Sequence, residues 1–303
     1  MQLSRCMLGF SSRIYDACSR IVNPGVFSSG ALSPCTSSLF IITLSLILSR
    51  LSYFFMALIW QETRAGTDYQ VRSAGKTLRL YTDNVLHSQY NPTKKLTGSV
   101  WDLLFLPALC LPQNKPLRVL VLGVGGGAVM HMMNDFFNCE KIIGLELNPT
   151  HIEIAHNFFD LNSCIFELIE TDAIHWVENY QGEKFDIIID DLFYEEKGEP
   201  IKVAAPNATW FYHLYSQLKP KGMLIMNFVG RHSAMSASPL HDDGVQKLLP
   251  YGLHLTTPFY DNHVLAFSSQ PLHSRLIRKT INQHAKLSML KQNLRFSCRN
   301  FSR

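Results

Sequence analysis

Apolar and polar residues alternate with two different periods along the middle of this 303-residue chain. Short, nearly continuous apolar runs are typical of strands buried on both faces, and they alternate with stretches whose apolar residues recur at helical spacing. The predicted strands are residues 118–122, 141–146, 165–169, 185–190 and 222–228. The predicted helices are residues 128–137, 149–159, 173–179 and 207–218. Strands that alternate with helices in this way predict an α/β body with a largely parallel sheet.

Antiparallel patterns flank this body on both sides. Residues 253–257 and 263–268 predict a late hairpin, which would supply a reversed strand at the edge of the sheet. Residues 66–92 alternate strictly and contain turn signals at 74–76 and 83–84, so they predict β-hairpins. The predicted fold is therefore a Rossmann-like, doubly wound α/β sheet with a reversed edge strand, preceded by a small β-hairpin subdomain.

The same pattern divides the chain into four segments. Residues 1–60 form an N-terminal extension, and residues 61–112 form the hairpin subdomain with a linking helix that ends before Pro112. Residues 113–270 form the main α/β domain. Residues 271–303 form a basic tail, in which residues 272–296 predict an amphipathic helix.

The apolar run at residues 38–60 has three interpretations. It is long enough to span a bilayer, although Arg50 lies inside it. It could instead be a helix packed on the body. The third interpretation is that the protein begins at Met56 and that residues 1–55 are upstream sequence, because residues 1–60 contain neither Lys nor Glu.

Charge is distributed unevenly around a net value of +4. The tail from residue 271 carries eight Lys or Arg residues and no acid, whereas residues 61–270 carry 16 basic and 23 acidic residues. The excess of acidic residues in the body is weak evidence for a cationic substrate, and an ordinary solvated surface explains it as well. The tail contains no base-reading motif, so no nucleic-acid partner is expected, and a membrane is expected only through residues 38–60.

The seven cysteines are scattered and form no Cys-x-x-Cys pair. This arrangement disfavours a disulfide framework and a zinc site, and we expect no metal. It predicts a reducing, cytoplasmic location, with a membrane-anchored protein as the alternative.

A glycine-rich turn carries the strongest chemical signal. The predicted strand 118–122 runs into Gly123, Gly125 and Gly127, a helix follows, and the next strand ends on Glu146. This is the layout of a nucleotide-binding βαβ unit, in which glycines let the backbone approach a ligand and the acid holds the ribose hydroxyls. The motif alone would also fit NAD.

Three later features favour an S-adenosylmethionine-type cofactor over NAD. Asp172 and Ala173 follow the third strand, where an acid and a backbone N–H can meet an adenine amino group. The fourth strand ends on Asp190 and Asp191, at the edge where α/β sheets place their chemistry. The Lys-Pro-Lys-Gly turn at 219–222 has the layout seen in S-adenosylmethionine-dependent transferases.

Together these motifs resemble the spermidine synthase family of aminopropyltransferases, and the resemblance covers about residues 61–270. It implies that Gln70, the glycine turn, Glu146, Asp172 and Ala173 bind S-adenosylmethionine or its decarboxylated form. It also places Asp191 on the family's catalytic aspartate, with Asp190 on that residue's apolar neighbour. A homodimer is an expectation of the resemblance alone.

The departures from the family pattern concern the acceptor. The Asp of the family's glycine motif, which helps to hold the aminopropyl amine, falls on Gly126. A second family Asp falls on Tyr194, and the family's aromatic–acid element falls near Trp101 and Asp102. Glu195, Glu196 and Glu199 follow closely and could compensate, although the solvent-facing interpretation is the favoured one for them.

Three functions remain open at this point. An aminopropyl group or a methyl group could be transferred to an amine, and the loss of the acid at Gly126 favours methyl transfer. In either reaction Asp191 is the predicted base, Asp190 and Asp102 are helpers, and Trp101, Tyr194 and Trp210 are possible walls around a cationic acceptor. The third possibility is a cofactor-binding scaffold without turnover, attached to a membrane through residues 38–60.

Overall fold

The structure is a computed structural model that describes residues 56–112, 114–196, 199–258 and 260–300. The chain enters a four-stranded antiparallel sheet, in which neighbouring strands follow one another in sequence. Its strands are β1 (Ala57–Arg64), β2 (Thr67–Ala74), β3 (Thr77–Thr82) and β4 (Val85–Tyr90). The predicted β-hairpins at residues 66–92 are therefore confirmed. The first strand was not predicted, because its residues 57–60 lie in the apolar run that suggested a helix.

The N-terminal interpretations concern residues outside the described part of the chain. Residues 1–55 are not described, so a membrane anchor, a packed helix and upstream sequence at these positions stay predictions. Of the run 38–60, the described end forms β1, where Leu58 and Ile59 are exposed. None of the helices in the described ranges is long and apolar enough to cross a membrane.

An eight-stranded sheet forms the centre of the main domain. Its parallel strands are β5 (Leu117–Leu122), β6 (Cys139–Glu146), β7 (Phe166–Glu170), β8 (Phe185–Asp190) and β11 (Leu218–Val229). Its antiparallel strands are β12 (Tyr251–Thr257), β13 (Tyr260–Ser268) and β14 (Ser297–Asn300). The spatial order is β14-β12-β13-β11-β8-β5-β6-β7. The parallel sheet with a reversed edge confirms the predicted fold class.

A separate two-stranded hairpin follows the fourth parallel strand. It consists of β9 (Phe193–Glu196) and β10 (Glu199–Lys202), which pair antiparallel. This hairpin was not predicted. It stands at the carboxyl end of β8, next to Asp191, and therefore beside the expected chemistry.

Helices connect the strands of the main sheet. In chain order they are α1 (Trp101–Phe105), α2 (Ala128–Phe136), α3 (Pro149–Phe158), α4 (Ala173–Asn179), α5 (Ala208–Ser216), α6 (Arg231–Met235), α7 (Asp243–Leu248), α8 (Ser274–Gln283) and α9 (Leu287–Leu290). Two large apolar clusters cover the main sheet, one containing Val119 and Val121 and the other containing Leu120 and Leu122. Successive strand residues thus point to opposite, buried faces, which is why β5 reads as an uninterrupted apolar run.

The basic tail packs on the domain and is only partly helical. The single helix predicted at 272–296 is interrupted after Gln283, where α9 and a short 3-10 helix (Lys291–Asn293) follow, and β14 begins just beyond the predicted range. The side chains of Ile277, Ile281 and Leu287 are buried, which docks α8 and α9 on the larger cluster. The strand β14 pairs with β12 and extends the sheet. Its four residues are mostly exposed, so no alternation of apolar and polar residues predicted this strand.

We expect the docking of the tail to contribute substantially to stability. Ile277→Ala removes a fully buried side chain, and we expect it to lower the free energy of unfolding by about 2–4 kcal/mol. Met289→Ala, in the neighbouring α9 and 77% exposed, is the matched control with an expected effect below about 0.5 kcal/mol. Denaturant unfolding measures both, and equal effects would contradict the docked tail.

Candidate functional site

The glycine turn lies at the carboxyl edge of the parallel strands, between β5 and α2. Gly123, Gly125 and Gly127 all have positive φ, at 82°, 52° and 81°. An ideal Cβ on Gly123 would lie 2.5 Å from the carbonyl oxygen of Asp191, so only glycine permits this approach. The turn and the end of β8 are therefore in direct backbone contact.

The hairpin sheet closes the other side of the glycine turn. An ideal Cβ on Gly125 would lie 2.8 Å from the carbonyl oxygen of His87, in β4. The hydroxyl of Ser88 accepts a hydrogen bond of 3.3 Å from the N–H of Ala128, at the start of α2. The turn is held between β4 and β8, and its conformation depends on both.

Glu146 ends β6 with its carboxylate against the glycine turn. One oxygen accepts from the N–H groups of Val124 and Gly125 at 3.1 and 2.8 Å, and the other accepts from the N–H of Asn148 at 3.0 Å. Burial alone would raise the pKa of Glu146, but His151 and the backbone donors outweigh it and hold the pKa below its ordinary value. Glu146 thus stays ionised where a ribose is expected.

Two histidines that the sequence interpretation missed stand behind Glu146. The His151 Nδ1 lies 3.7 Å from Glu146 Oε1, and its Nε2 lies 2.8 Å from the hydroxyl of Thr82 in β3. The ring of His87 lies 5.0 Å from that of His151, and burial lowers the pKa of His87 to about 4. No sequence motif predicts this cluster, because His87 lies in the hairpin sheet and His151 in α3, and only the fold brings these elements together.

Asp172 and Ala173 lie between β7 and α4. Asp172 is exposed and caps the helix, since its Oδ1 accepts from the N–H groups of Ile174 and His175 at 2.8 and 3.0 Å. The adjacent Ala173 is buried. Both capping bonds use the same oxygen, so capping by Oδ1 and a ligand contact through Oδ2 are compatible.

Asp191 follows β8, with one carboxylate oxygen held by a chain of amides. Its Oδ1 accepts from Asn227 Nδ2 at 2.8 Å, and Asn227 Oδ1 accepts from Asn262 Nδ2 at 3.2 Å. Burial raises the pKa of Asp191 to about 6, although Asn227 and Lys202 oppose the rise. Asn227 could have been found as the polar residue that interrupts the apolar run of β11.

Asp190 is placed differently from the predicted helper role. Its side chain is fully buried, and its Oδ1 lies 2.7 Å from Lys202 Nζ. Its Oδ2 accepts from the indole N–H of Trp210 at 3.0 Å. Both carboxylate oxygens of Asp190 are occupied inside the protein, and Trp210 is a core residue of α5 rather than a wall of the site. Neither residue is therefore in a position to contact an incoming acceptor directly.

The candidate acceptor residues do not form one cluster. Asp102 is buried, and its oxygens accept from Thr97 N, Thr97 Oγ1 and Gly98 N at 2.8, 2.6 and 2.9 Å. Trp101 packs beside it in the core, whereas Tyr194 on β9 is 49% exposed. Asp102 thus fixes the turn before α1, and of these three residues Tyr194 is the one available to an incoming molecule.

Gln70 lies on β2 within a polar row of its own sheet. Its amide donates to Asp68 at 2.5 Å and accepts from Arg72 Nε at 2.7 Å. Its side chain is buried. These bonds hold Gln70 within the hairpin sheet, and its role in cofactor binding stays a prediction.

Metal-ligating side chains do not gather into a site in the part of the chain that the structure describes. Within the described ranges, no group of three or more His, Cys, Asp or Glu side chains is arranged to hold a metal ion. The side chains of Glu195, Glu196 and Glu199 lie outside what the structure describes, and their compensating role stays a prediction.

Comparison with known proteins finds two kinds of transferase. No family model matches the chain. The chain is 27% identical to the eEF1A lysine and N-terminal methyltransferase of Danio rerio over 149 residues, which cover 46% of this chain and 21% of that protein. It is 26% identical to the polyamine aminopropyltransferase of Chromobacterium violaceum over 117 residues, which cover 38% and 43%. The matches thus span less than half the length of these relatives.

The solved structures agree on the fold. The spermidine synthase of Thermotoga maritima superposes with a TM-score of 0.55 at 15% identity, covering 76% of this chain and 79% of that chain. At that identity the likeness shows the fold alone.

The contact between the glycine turn and Asp191 yields a test. We expect Gly123→Ala to lower affinity for S-adenosylmethionine by about tenfold or more, because the new methyl group must displace the Asp191 backbone. Gly75→Ala is the matched control, since Gly75 also has positive φ but an ideal Cβ there would meet nothing within 4 Å. Calorimetric titration and thermal unfolding compare the two, and equal loss of affinity would contradict a specific role of the contact.

Proposed function

We propose that this chain transfers a methyl group from S-adenosylmethionine to an amine. Its spermidine synthase-like fold, of the class I methyltransferase type, and its homology to transferases support the proposal. Asp191 acts as the base. The observation that carries the choice of methyl over aminopropyl transfer is the packing around Gly126.

The space beside Gly126 is filled by apolar atoms. An ideal Cβ at this position would lie 2.9 Å from Ser88 Cβ and 2.9 Å from Phe159 Cδ1. Phe159 is fully buried in the cluster that joins the hairpin sheet to α3. A carboxylate at residue 126 would therefore have to displace a packed ring, and the site offers no acid there for the free amine of an aminopropyl group.

The same feature suits the intact cofactor. S-adenosylmethionine carries a carboxylate that its decarboxylated form lacks, and an acid at residue 126 would repel that carboxylate. Glycine removes the repulsion. The relative in Danio rerio is named a lysine and N-terminal methyltransferase, and both of those groups are amines, which supports an amine acceptor here.

The residues of the carboxyl edge fit an adenosyl nucleoside. Gly123 and Gly125 provide backbone that a Cβ would block, Glu146 provides an ionised carboxylate for ribose hydroxyls, and Asp172 with Ala173 lies at the next strand end. When bound, the cofactor supplies an activated methyl group on a sulfonium. The protein supplies orientation, and Asp191 accepts the proton that an amine must lose before or during attack.

Aminopropyl transfer is the second candidate. The match to polyamine aminopropyltransferase supports it, and the base would be the same residue. The two reactions differ in which form of the cofactor the site prefers.

Cofactor preference tests the proposal. We expect the full chain to bind S-adenosylmethionine at least about tenfold more tightly than decarboxylated S-adenosylmethionine in calorimetric titrations. Gly126→Asp should weaken binding of the intact form more than that of the decarboxylated form, because the added charge repels a carboxylate that only the intact form carries. Gly126→Ala adds volume without charge and is the matched control. A wild-type preference for the decarboxylated form would support aminopropyl transfer instead.

Asp191→Asn tests the base. We expect turnover to fall about 100-fold or more with little change in cofactor affinity, because the amide cannot accept the proton. The rate of the wild type should fall as the pH drops through about 6, where Asp191 becomes protonated. An unchanged rate in the variant would remove Asp191 from the mechanism.

The same variant should be more stable than the wild type near pH 8. Because the folded pKa of about 6 lies above the ordinary value of 3.8, the native state favours the protonated form. The contribution of Asp191 to stability is therefore greatest below pH 3.8 and is lost as the pH rises through about 6. We expect a gain of about 1–3 kcal/mol for Asp191→Asn at pH 8, by denaturant unfolding. Glu140→Gln, at an exposed position, is the control with no expected gain.

A further inference from the structure

The hairpin β9–β10 has an inner and an outer face beside the proposed base. Its register pairs Phe193 with Lys202 and Tyr194 with Ile201. Because successive strand residues point to opposite faces, the two pairs lie on opposite sides of the hairpin. Tyr194 and Ile201 are exposed, whereas the charged group of Lys202 turns inward.

Lys202 is almost completely enclosed. Its side chain is 9% exposed, and its Nζ lies 2.7 Å from Asp190 Oδ1 and 3.1 Å from the Asp190 carbonyl oxygen. The ammonium also lies 4.8 Å from the ring centre of Phe193 and 5.6 Å from that of Phe228. One lysine thus joins the hairpin to the end of β8 and to β11.

Stability alone gives little reason for this ion pair. Desolvation of two buried charges offsets much of their attraction, and apolar side chains of similar size often serve the core as well. Asp190, however, comes directly before Asp191 in the chain. The position of the pair suggests a role at the site.

We propose that Lys202 is a positioning residue, which fixes the hairpin β9–β10 against Asp190 and supplies positive charge that favours the ionised form of the neighbouring Asp191. The proposal rests on the proposed role of Asp191 as the base. In this proposal the Asp190–Lys202 pair influences the ionisation of Asp191 and does not bind the acceptor.

The charges around Asp191 act in opposite directions. Among the side chains that the structure describes, Lys202 lowers the pKa of Asp191 and Asp190 raises it, while the neutral Asn227 donates a hydrogen bond to the carboxylate. Removal of either member of the ion pair should therefore move the titration of Asp191, and the two removals should move it in opposite directions.

The test uses Lys202→Met and Asp190→Asn in the full chain. We expect Lys202→Met to raise the titration midpoint of Asp191 by about 0.5–1.5 pH units, and Asp190→Asn to lower it by a similar amount. Carboxyl ¹³C NMR of Asp191 measures the midpoint without any turnover. The acidic limb of the methyl-transfer rate should move in parallel. A merely structural ion pair would lower the stability of both variants without moving the two midpoints in opposite directions.

Lys219→Met is the matched control. Lys219 Nζ on β11 lies 2.9 Å from Asp186 Oδ2 on β8. This variant therefore also breaks a Lys–Asp pair of β8, but at the end of the strand away from Asp191. We expect it to leave the Asp191 midpoint unchanged. Asp190→Asn keeps an oxygen that can accept from Trp210 or Leu192, so it provides the decisive measurement even if Lys202→Met does not fold.

Hydrogen exchange tests the fixed hairpin separately. We expect amide exchange in residues 193–196 and 199–202 to accelerate at least about tenfold in Lys202→Met and to stay unchanged in Lys219→Met. Unchanged hairpin exchange, or midpoints that both stay fixed or move in one direction, would overturn the proposal. If the two midpoints shift in opposite directions but the protein transfers no methyl group, the proposed role of Lys202 is supported and the proposed function is rejected.

Discussion

The close approach of Gly123 to the backbone of Asp191 is the constraint on which the site depends. No side chain fits between them, since even a Cβ would meet the Asp191 carbonyl oxygen at 2.5 Å. The contact brings the turn after β5 against the turn after β8, which are neighbouring strands in the sheet. A ligand cradled by the glycine turn is thereby within reach of the carboxylate at the end of β8. In the proposed function, this one backbone contact sets the position of both the cofactor and the base.

The strand ends also show how two adjacent carboxylates acquire different properties. Asp190 points into the core, where Lys202 and Trp210 occupy its oxygens. Asp191 points to the other face, where the neutral amide of Asn227 donates to one of its oxygens. The first carboxylate is neutralised by an ion pair, whereas the second keeps a raised pKa of about 6 that suits proton transfer near neutral pH. Two adjacent residues at the end of β8 thus have different surroundings, because their side chains meet different partners.

Local sequence predicted the frame of this protein better than its contacts. The apolar runs predicted all five parallel strands, and Glu146 was singled out as a candidate site residue from its position at the end of the second of them. β1 was missed because it begins inside the apolar run that suggested a helix, and β14 was missed because its mostly exposed residues show no alternating burial. The family resemblance distinguished Asp191 from Asp190, but the ion pair of Asp190 with Lys202 was not predicted, because Lys202 comes from a later hairpin. His151 and Asn262 were missed because they join the site from distant parts of the chain, whereas Asn227 could have been found as the polar residue in the apolar run of β11.

The proposed choice of methyl over aminopropyl transfer depends on an acid that is absent at residue 126. Aminopropyl and methyl transfer share the fold, the sulfonium and the need for a base, so none of these features can discriminate between them. Only a protein group near the cofactor's amino-acid end can discriminate between them. S-adenosylmethionine carries a carboxylate beside its amine there, and the decarboxylated form carries the amine alone. At residue 126 the family's acid is replaced by glycine, and the ring of Phe159 and the Cβ of Ser88 occupy the adjacent volume. Because packed atoms rather than an open gap lie there, an acidic side chain on residue 126 itself would have to displace Phe159. In the proposed function, the hairpin sheet, which contributes Ser88, helps to determine which form of the cofactor the glycine turn accepts.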